Sequence, residues 1–464
     1  MINKYNENKH LVKKTFSLAL PAITDMFVQM LFGIIDMSMV GKLGAFAIAA
    51  IGLANSPMMT IASLFTAASV GATALVAREI GAKNPKEANK IASQAILINI
   101  IIAFFCTILV LFTAKPIISL MGADKDTLIP GTNYLLIASL GLVFISINFV
   151  IAGILRGAGD TKTPMKINAF SLILNLIFNF ICIFPTREIF LEMPFDLSIN
   201  FTMFGLNMGV AGAAFGTLLS RIVAGAFLCI LLLSDKLVIS ISLKNIFKSD
   251  IKTLKRILNI GIPAAIEQFF MRSGQLLYMR VIASLGTVML AAHRITLTAE
   301  SLSFYVGYGF ALAGTTLVGQ NLGAKEPKTA EKSGHIAALM AILFMSIMGI
   351  LFFFFPEPLI KLFSDDPVII KAATPCLKLV AFSQPFLAAN MAYAGGLRGA
   401  GDTRTVLIIT FIGIWGLRLI GAIVSVQLGF GLFGAWFAMC IDQIGRSNLL
   451  FYRFKKGNWK NLKV

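Results

Sequence analysis

The first apolar stretch of the chain, PAITDMFVQMLFGIIDMSMVG, holds two carboxylates. Asp25 and Asp36 are eleven residues apart, which at ~100° per residue sets them within about 20° of each other on a helix, with Gln29 and Phe32 on the same stripe. The axial gap is about 16 Å at 1.5 Å per residue, too far for both acids to share one ion. A later stretch, LNLIFNF, places Asn175 and Asn179 one turn apart, two amides on one helix face. With Asp36 these amides make an all-oxygen cation site for sodium, or a setting for a proton on Asp36. Thr217, in the next apolar run, is a weaker fourth member. The competing reading is that the asparagines hydrogen-bond across helices, a common device where helices pack in lipid.

The second half carries its own ionisable groups. Glu267 shares a helical face with Gln275 and Tyr278, and His293 and Glu300 share a face at i, i+7. Asp25, Gln29, Glu267, Gln275, Tyr278, His293 and Glu300 are the candidates for the charge and polarity of a substrate cavity. Arg272, Arg280, Arg294 and Arg418 offer the alternative of buried Glu–Arg pairing. His293 is expected near an interface without chemistry, a proton relay being its other reading. Asp442 and Arg446 form an i, i+4 pair with a structural role.

Composition fixes the elements that must hold these groups. Apolar residues make up 57% of the chain, charged residues 13%, and mean hydropathy is +0.83. An ordinary soluble domain is excluded. Runs such as 95–114, 135–155, 167–184 and 336–355 approach the ~20 residues that cross the hydrocarbon layer as helix, and about twelve such runs fit the chain. Continuous runs, rather than short alternating segments, exclude a lipid barrel. The net charge of +18 does not imply nucleic acid. Its basic residues concentrate at the two ends and after alternate helices, so the positive-inside rule places both termini in the cytoplasm; the expected location is the plasma (inner) membrane. The basic N-terminal segment leads into a run too long for a signal peptide. Five scattered cysteines in or beside apolar runs imply neither a disulfide framework nor a metal site.

The phrase LRGAGDTKT at 155–163 returns as LRGAGDTRT at 397–405, an offset of 242. Pro21 meets Pro263, Gly44 meets Gly286, the GAK triplets at 81 and 323 coincide, and Asp25 meets Glu267 on the same offset, whereas Asp36 meets Tyr278. After about 150 residues the register slips, because the first half carries about 20 extra residues around 187–200. Basic turns at equivalent points give both copies one orientation, which requires an even number of spans in each. The fold class is therefore an all-α integral membrane protein of twelve transmembrane helices in two six-helix bundles, a parallel internal repeat. The expected division is an N-terminal lobe at 1–234, a cytoplasmic amphipathic linker at 235–255 with an interfacial helix over 242–258, and a C-terminal lobe at 256–464. The repeated phrase reads as a tight turn, with Gly157 or Gly159 ending one helix and Asp160 capping the next. Its second reading is an inner gate in which Arg156, Asp160, Arg398 and Asp402 pair. No GxxxxGK[ST] is present to bind nucleotide phosphates.

The landmarks LALPA, IDMSMVGKLGAFAIAAIG, GATALVAREIGAKNP and LRGAGDTKTP, with their second-half counterparts, resemble the multidrug and toxic compound extrusion (MATE) transporters over essentially the whole chain. The resemblance implies two bundles around a V-shaped central cavity, and export of organic cations and other amphipathic compounds by antiport against sodium or protons. Its coupling aspartate maps through IDxxxVGxLG onto Asp36. Where many such proteins carry an acid on the fifth helix, this chain has Asn179. Where others carry a glutamate eight residues after the seventh-helix proline, it has Met271, with Glu267 one turn earlier. The expected partners are small cationic or amphipathic molecules and the bilayer, with no nucleic acid, no cofactor beyond the coupling ion H⁺ or Na⁺, and a monomeric state. The alternative function is a flippase for lipid-linked saccharide, which requires a strongly cationic cavity. A membrane enzyme requires a denser catalytic cluster than three scattered histidines supply.

Overall fold

Glycine, proline and basic turns punctuate the apolar runs and set where each helix stops. The computed structural model describes residues 2–193, 197–234, 237–241, 246 and 248–462. The first half contains α1 (Ile2–Gly41), α2 (Ala45–Gly81), α3 (Pro85–Leu120), α4 (Lys125–Leu140), α5 (Leu142–Ala158), α6 (Lys162–Ile183) and α7 (Gly209–Leu233). The second contains α8 (Ile251–Ala283), α9 (Thr287–Gly323), α10 (Pro327–Phe354), the short α11 (Pro356–Lys361) and α12 (Pro367–Gly399). It ends with α13 (Thr403–Phe411), a π-helical segment (Ile412–Leu419), α14 (Ile420–Gln427) and α15 (Gly431–Lys456).

Among the described residues eight helices are long and apolar enough to cross a membrane, counting α13 to α14 as one, and α4 with α5, bent by 50°, makes a ninth. α8, α12 and α15 are also of spanning length, at 33, 33 and 26 residues. Their internal charges, such as Glu267, Arg398 and Asp442, lower their mean hydropathy. Together these give twelve spans.

The duplication extends to backbone geometry. Gly159 and Gly401, 242 apart, both take left-handed φ values, +94° and +89°, at the end of an LRGAG helix. Lys83 and Lys325 in the GAK turns do the same at φ 58° and 60°. Thr73 donates to the Gly153 carbonyl at 2.9 Å and Thr315 to the Gly395 carbonyl at 2.8 Å, again on the offset.

The extra residues of the first half form an antiparallel hairpin, β1 (Pro185–Met193) with β2 (Leu197–Leu206), where a loop is expected. In β2, Leu197, Ile199, Phe201 and Met203 alternate with Ser198, Asn200 and Thr202, which gives this segment its strand propensity. The interfacial helix expected over 242–258 falls partly outside the described residues. From Ile251 onward the chain already belongs to α8, which Asp250 caps by accepting from the Lys252 amide at 3.3 Å.

The lobes meet through glycines that allow backbone approach. A Cβ on Gly81 would lie 1.8 Å from the Gln320 carbonyl oxygen, and one on Gly323 would lie 1.8 Å from that of Arg78. Arg78 and Gln320 are themselves 242 apart, so the two contacts form a pseudo-symmetric pair. Gly261 against Ala67 and Gly309 against Ala19 form another. The first helix of each half also packs into its partner lobe: Leu18 and Ala19 of α1 join the core of the second half, and Ile257 and Ile260 of α8 join that of the first. Among the described residues these contacts concentrate in the half of the molecule bearing the chain ends and the GAK and LRGAG turns, called here the near face. Farthest from it is the edge contact of Phe27 with Tyr305, at 6.0 Å between ring centroids. The two bundles form a V whose interlobe contacts named here gather at the near face, away from the other, distal, face.

Candidate ion and substrate site

In the first lobe α6 and α7 pack closely because Gly212 and Gly216 bring α7 against Cys182 and Asn179. That approach aligns a chain of polar groups. Asn179 donates from Nδ2 to the Asp36 carboxylate and, at 3.2 Å, to Asn175 Oδ1, while Asn175 Nδ2 donates to Thr217 Oγ1 at 3.1 Å. The four residues singled out in the sequence thus come together from α1, α6 and α7. Both asparagines are fully buried. Asn179 Oδ1 is buried without a protein partner, an open acceptor of the kind that a cation or ordered water takes. Carboxylate, two amides and a hydroxyl are all hard oxygen donors once the amides turn their oxygens inward, the ligand type that suits a hard cation.

Two neighbours escaped sequence reasoning. Arg221, one turn beyond Thr217 on α7, lays its guanidinium carbon 4.7 Å from the centroid of Phe32, itself one turn before Asp36. Its Nε is buried and unpartnered. Tyr134 of α4 is the other ionisable neighbour of Asp36. An isolated arginine in an apolar run, LLSRIVAG, is the signal that could have flagged Arg221.

Asp25 is not an open cavity charge. It is 2% exposed, accepts from Asn168 Nδ2 at 2.6 Å, and lies 3.7 Å from Arg156 Nη1. Glu267, also 2% exposed, repeats the arrangement on the offset of 242: Arg398 Nη2 at 2.6 Å and Thr410 Oγ1 at 3.2 Å donate to it. The second reading of these turns, a gate in which Arg156, Asp160, Arg398 and Asp402 pair, is therefore not what forms. Both arginines turn inward to the helix-one acid of their own lobe. Asp160 accepts from the Lys162 and Thr163 amides, both at 3.0 Å, at the start of α6, and Asp402 takes Arg453 at 2.8 Å.

Gln29 and Gln275 are exposed although Asp25, Glu267 and Tyr278 on their stripes are buried. The acids are buried by pairing with α5 and α6, or with α12 and α13, of their own lobe, and among the described residues no such hydrogen bond or ion pair covers the glutamines. Arg272, Arg280 and Arg294 are likewise exposed on the helix surface, and pairing of the acids falls to Arg398 and Arg418.

The second lobe differs in content. Where the first has Asp36, it has Tyr278, in a buried series of inclined rings with His293 (5.7 Å) and Trp436 (edge-on, 5.2 Å from His293). His293, expected at an interface, is 2% exposed in the lobe interior. Asp442 is fully buried and held by two arginines, Arg418 Nη2 at 2.7 Å and Arg446 Nε at 2.6 Å. Arg418 lies on the π-helical segment, and Gly413 at its start leaves room for the triad, since a Cβ there would sit 2.3 Å from Asp442 Oδ1. Glu300 is buried beside Gln443, with Oε1 unpartnered.

The MatE family model matches residues 21–181 and 263–424, two segments that begin at the repeated prolines Pro21 and Pro263. A probable multidrug resistance protein NorM from Thermotoga maritima is 34% identical over 97% of this chain and 94% of its own length. Multidrug resistance protein PmpM from Pseudomonas aeruginosa is 25% identical, covering 96% of this chain and 91% of its own. A MOP superfamily transporter from Pyrococcus furiosus shares the fold, with a TM-score of 0.86 at 24% identity over 96% of this chain and 95% of that one. With both halves matched and the fold shared from end to end, the chain belongs to the MatE family and is a multi-pass membrane transporter, not an enzyme.

Proposed function

We propose that the protein is an antiporter that exports organic cations and other amphipathic drugs against H⁺ or Na⁺, by alternating access of its two lobes. The names of its relatives support the drug substrates, and the basic near face supports cytoplasmic termini in the plasma (inner) membrane, with the distal face outward and the chain acting as a monomer. The observation that carries the reading is the Asp36–Asn179–Asn175–Thr217 chain: one half-buried carboxylate in an apolar lobe whose hydrogen-bond partner among the described residues, Asn179, is neutral. An intramembrane acid so placed is costly unless it serves an ion. A bound cation or proton cancels its charge and weakens the lobe's hold on a cationic substrate. One elementary charge crossing 100 mV carries about 2.3 kcal/mol, enough alone for a gradient of roughly 40-fold.

Arg156 and Arg398 each face an acid, Asp25 and Glu267, and Arg418 and Arg446 share Asp442, which supports the drug antiporter over a lipid-linked saccharide flippase with a strongly cationic cavity. The test is efflux of ethidium from proteoliposomes under a sodium gradient and a pH gradient imposed separately. Asp36→Asn is expected to abolish ion-driven efflux in a folded protein; efflux at the normal rate would remove Asp36 from the mechanism.

A further inference from the structure

Four polar side chains lie along one face of α6. Asn168, Ser171, Asn175 and Asn179 fall within an arc of about 80° at 100° per residue, and the last three are at most 1% exposed. The ends of this file bind the two acids of α1: Asn168 donates to Asp25 at 2.6 Å and Asn179 donates to Asp36. The same eleven-residue interval separates the two acids and the two amides, so α1 and α6 run parallel in register with a polar rung at each end. Ser171 Oγ between the rungs and Asn179 Oδ1 at the distal rung are buried without protein partners, positions where ordered water ordinarily completes the bonding.

The near end of the file reaches the seal. Asp25 faces the Arg156 guanidinium, while the Arg156 carbonyl accepts from Thr316 Oγ1 at 2.8 Å and the Gly157 carbonyl from Gln320 Nε2 at 3.1 Å, both donors belonging to α9 in the other lobe. The second lobe serves as an internal control. At the offset of 242 the file reads Thr410, Gly413, Leu417 and Gly421. It keeps the near-face pair and loses everything distal to it, so the lobe fold does not require the file.

We propose that the α6 file transmits the ion state of Asp36 to the Asp25–Arg156 pair, so that ion binding in the distal half loosens the near-face seal. Asn168 and Ser171 are positioning residues in this scheme, which rests on the coupling role given to Asp36 above. When Asp36 is neutralised, Asn179 loses its charged acceptor and rotates. Asn175 and the groups around Ser171 follow, and Asn168 relaxes its hold on Asp25. The other ionisable groups facing the two acids are Arg156 on α5, Arg221 on α7 and Tyr134 on α4, with Tyr305 of α9 against Phe27.

The experiment uses the full chain in proteoliposomes with sodium or protons as the probe. Ion occupancy is read as protection of Asp36 from carbodiimide labelling, and the seal as amide hydrogen exchange in residues 155–160. Ser171→Ala and Asn168→Leu are expected to keep ion-protected labelling while the ion-dependent change in exchange falls roughly tenfold, the scale of an ordinary coupling between sites; Ser171→Thr restores it. Wild-type seal response in a folded Ser171→Ala protein overturns the inference and leaves the coupling reading intact, even if Asn168→Leu fails to fold. Absence of any ion effect on Asp36 labelling in the wild type overturns both.

Discussion

Gly323→Ala tests the seal directly. In the observed state a Cβ at this position would lie 1.8 Å from the Arg78 carbonyl oxygen, and a Cβ at Gly81 would lie 1.8 Å from that of Gln320. Ordinary contact begins near 3.4 Å, so the two helix backbones must part by more than an ångström, and neither carbonyl can swing away as a side chain would. Overpacking of this kind costs about 1–3 kcal/mol. The cost arises only where α2 and α9 touch, so it falls on the near-sealed state and spares any state in which the lobes separate there. At 1.4 kcal/mol per decade the population ratio moves about 5- to 150-fold toward the near-open state. The assay is the rate at which a maleimide labels a reporter thiol, Gln320→Cys, in a background free of the five native cysteines. Labelling accelerates by that factor in Gly323→Ala, and thermal unfolding changes little. An unchanged labelling rate in a correctly folded variant would refute the claim that this backbone contact is what closes the near face.

Asp442→Asn leaves Arg418 and Arg446 buried without their shared acid and is expected to cost about 3–5 kcal/mol in unfolding experiments. Arg398→Ala should cost a similar ~3–5 kcal/mol by stranding Glu267, and Glu267→Gln combined with Arg398→Met should recover most of it; failure of the double variant to recover would mean that the pair does more than satisfy itself. Asn179→Asp adds a second carboxylate to the Asp36 site and is expected to lower the ion concentration that protects Asp36 from carbodiimide. At the near face, outside the membrane, the Lys90 ammonium and the Thr253 hydroxyl hold the Asp250 carboxyl down at about 2. The contribution of this clasp to stability is therefore complete above the unfolded aspartate value of ~3.9 and is lost as pH falls through about 2. Asp250→Asn should make unfolding indifferent to acid over that window at this site, with a small effect at neutral pH because the pair is exposed.

The fold was legible because its signals are long-range and redundant. Span length, basic turns and a fixed offset of 242 all constrain the same architecture, and the φ values of Gly159 and Gly401 show the offset holding down to single dihedrals. The grouping of Asp36 with Asn175, Asn179 and Thr217 was legible because polar residues one turn apart in an apolar run mark one face, although that spacing serves helix packing as well as ion binding. What escaped is partner choice. Asp25 and Arg156 are more than a hundred residues apart, and helical periodicity places each on a face without saying which face meets which. Arg156 therefore reads as easily as a gate residue as it does as the partner of a buried acid. Arg221 was missed because an isolated cation carries no spacing pattern. The hairpin at 185–206 was missed because a segment between two strongly apolar runs reads as a connection whatever its own propensity.

The two lobes close through symmetric contacts, and this bears on where coupling energy must enter. Gly81 and Gly323, Ala67 and Gly309, and Ala19 and Gly261 exchange roles across the pseudo-twofold axis, as do the Asp25–Arg156 and Glu267–Arg398 pairs. Symmetric contacts of this kind favour closure equally from both sides and cannot by themselves respond to an ion. A ligand shifts a conformational equilibrium only by its difference in affinity for the two states, so the response must come from an element that one lobe has and the other lacks. Inside the second lobe, Tyr278, His293 and Trp436 fill the place equivalent to Asp36, and Asp442 is saturated by two arginines. Among the described residues Tyr278 Oη, His293 Nδ1, Trp436 Nε1 and Glu300 Oε1 are buried without partners there too, but Tyr278, at the position equivalent to Asp36, carries no carboxylate on which a bound cation could act. Inside the first lobe, Asp36 ends a polar file with unpartnered atoms along its length, an interior that can rearrange without breaking an ion pair until it reaches Asp25. On the proposed reading the first lobe is the moving part, and exchanging the contents of the two helix-one sites should move the ion response with them.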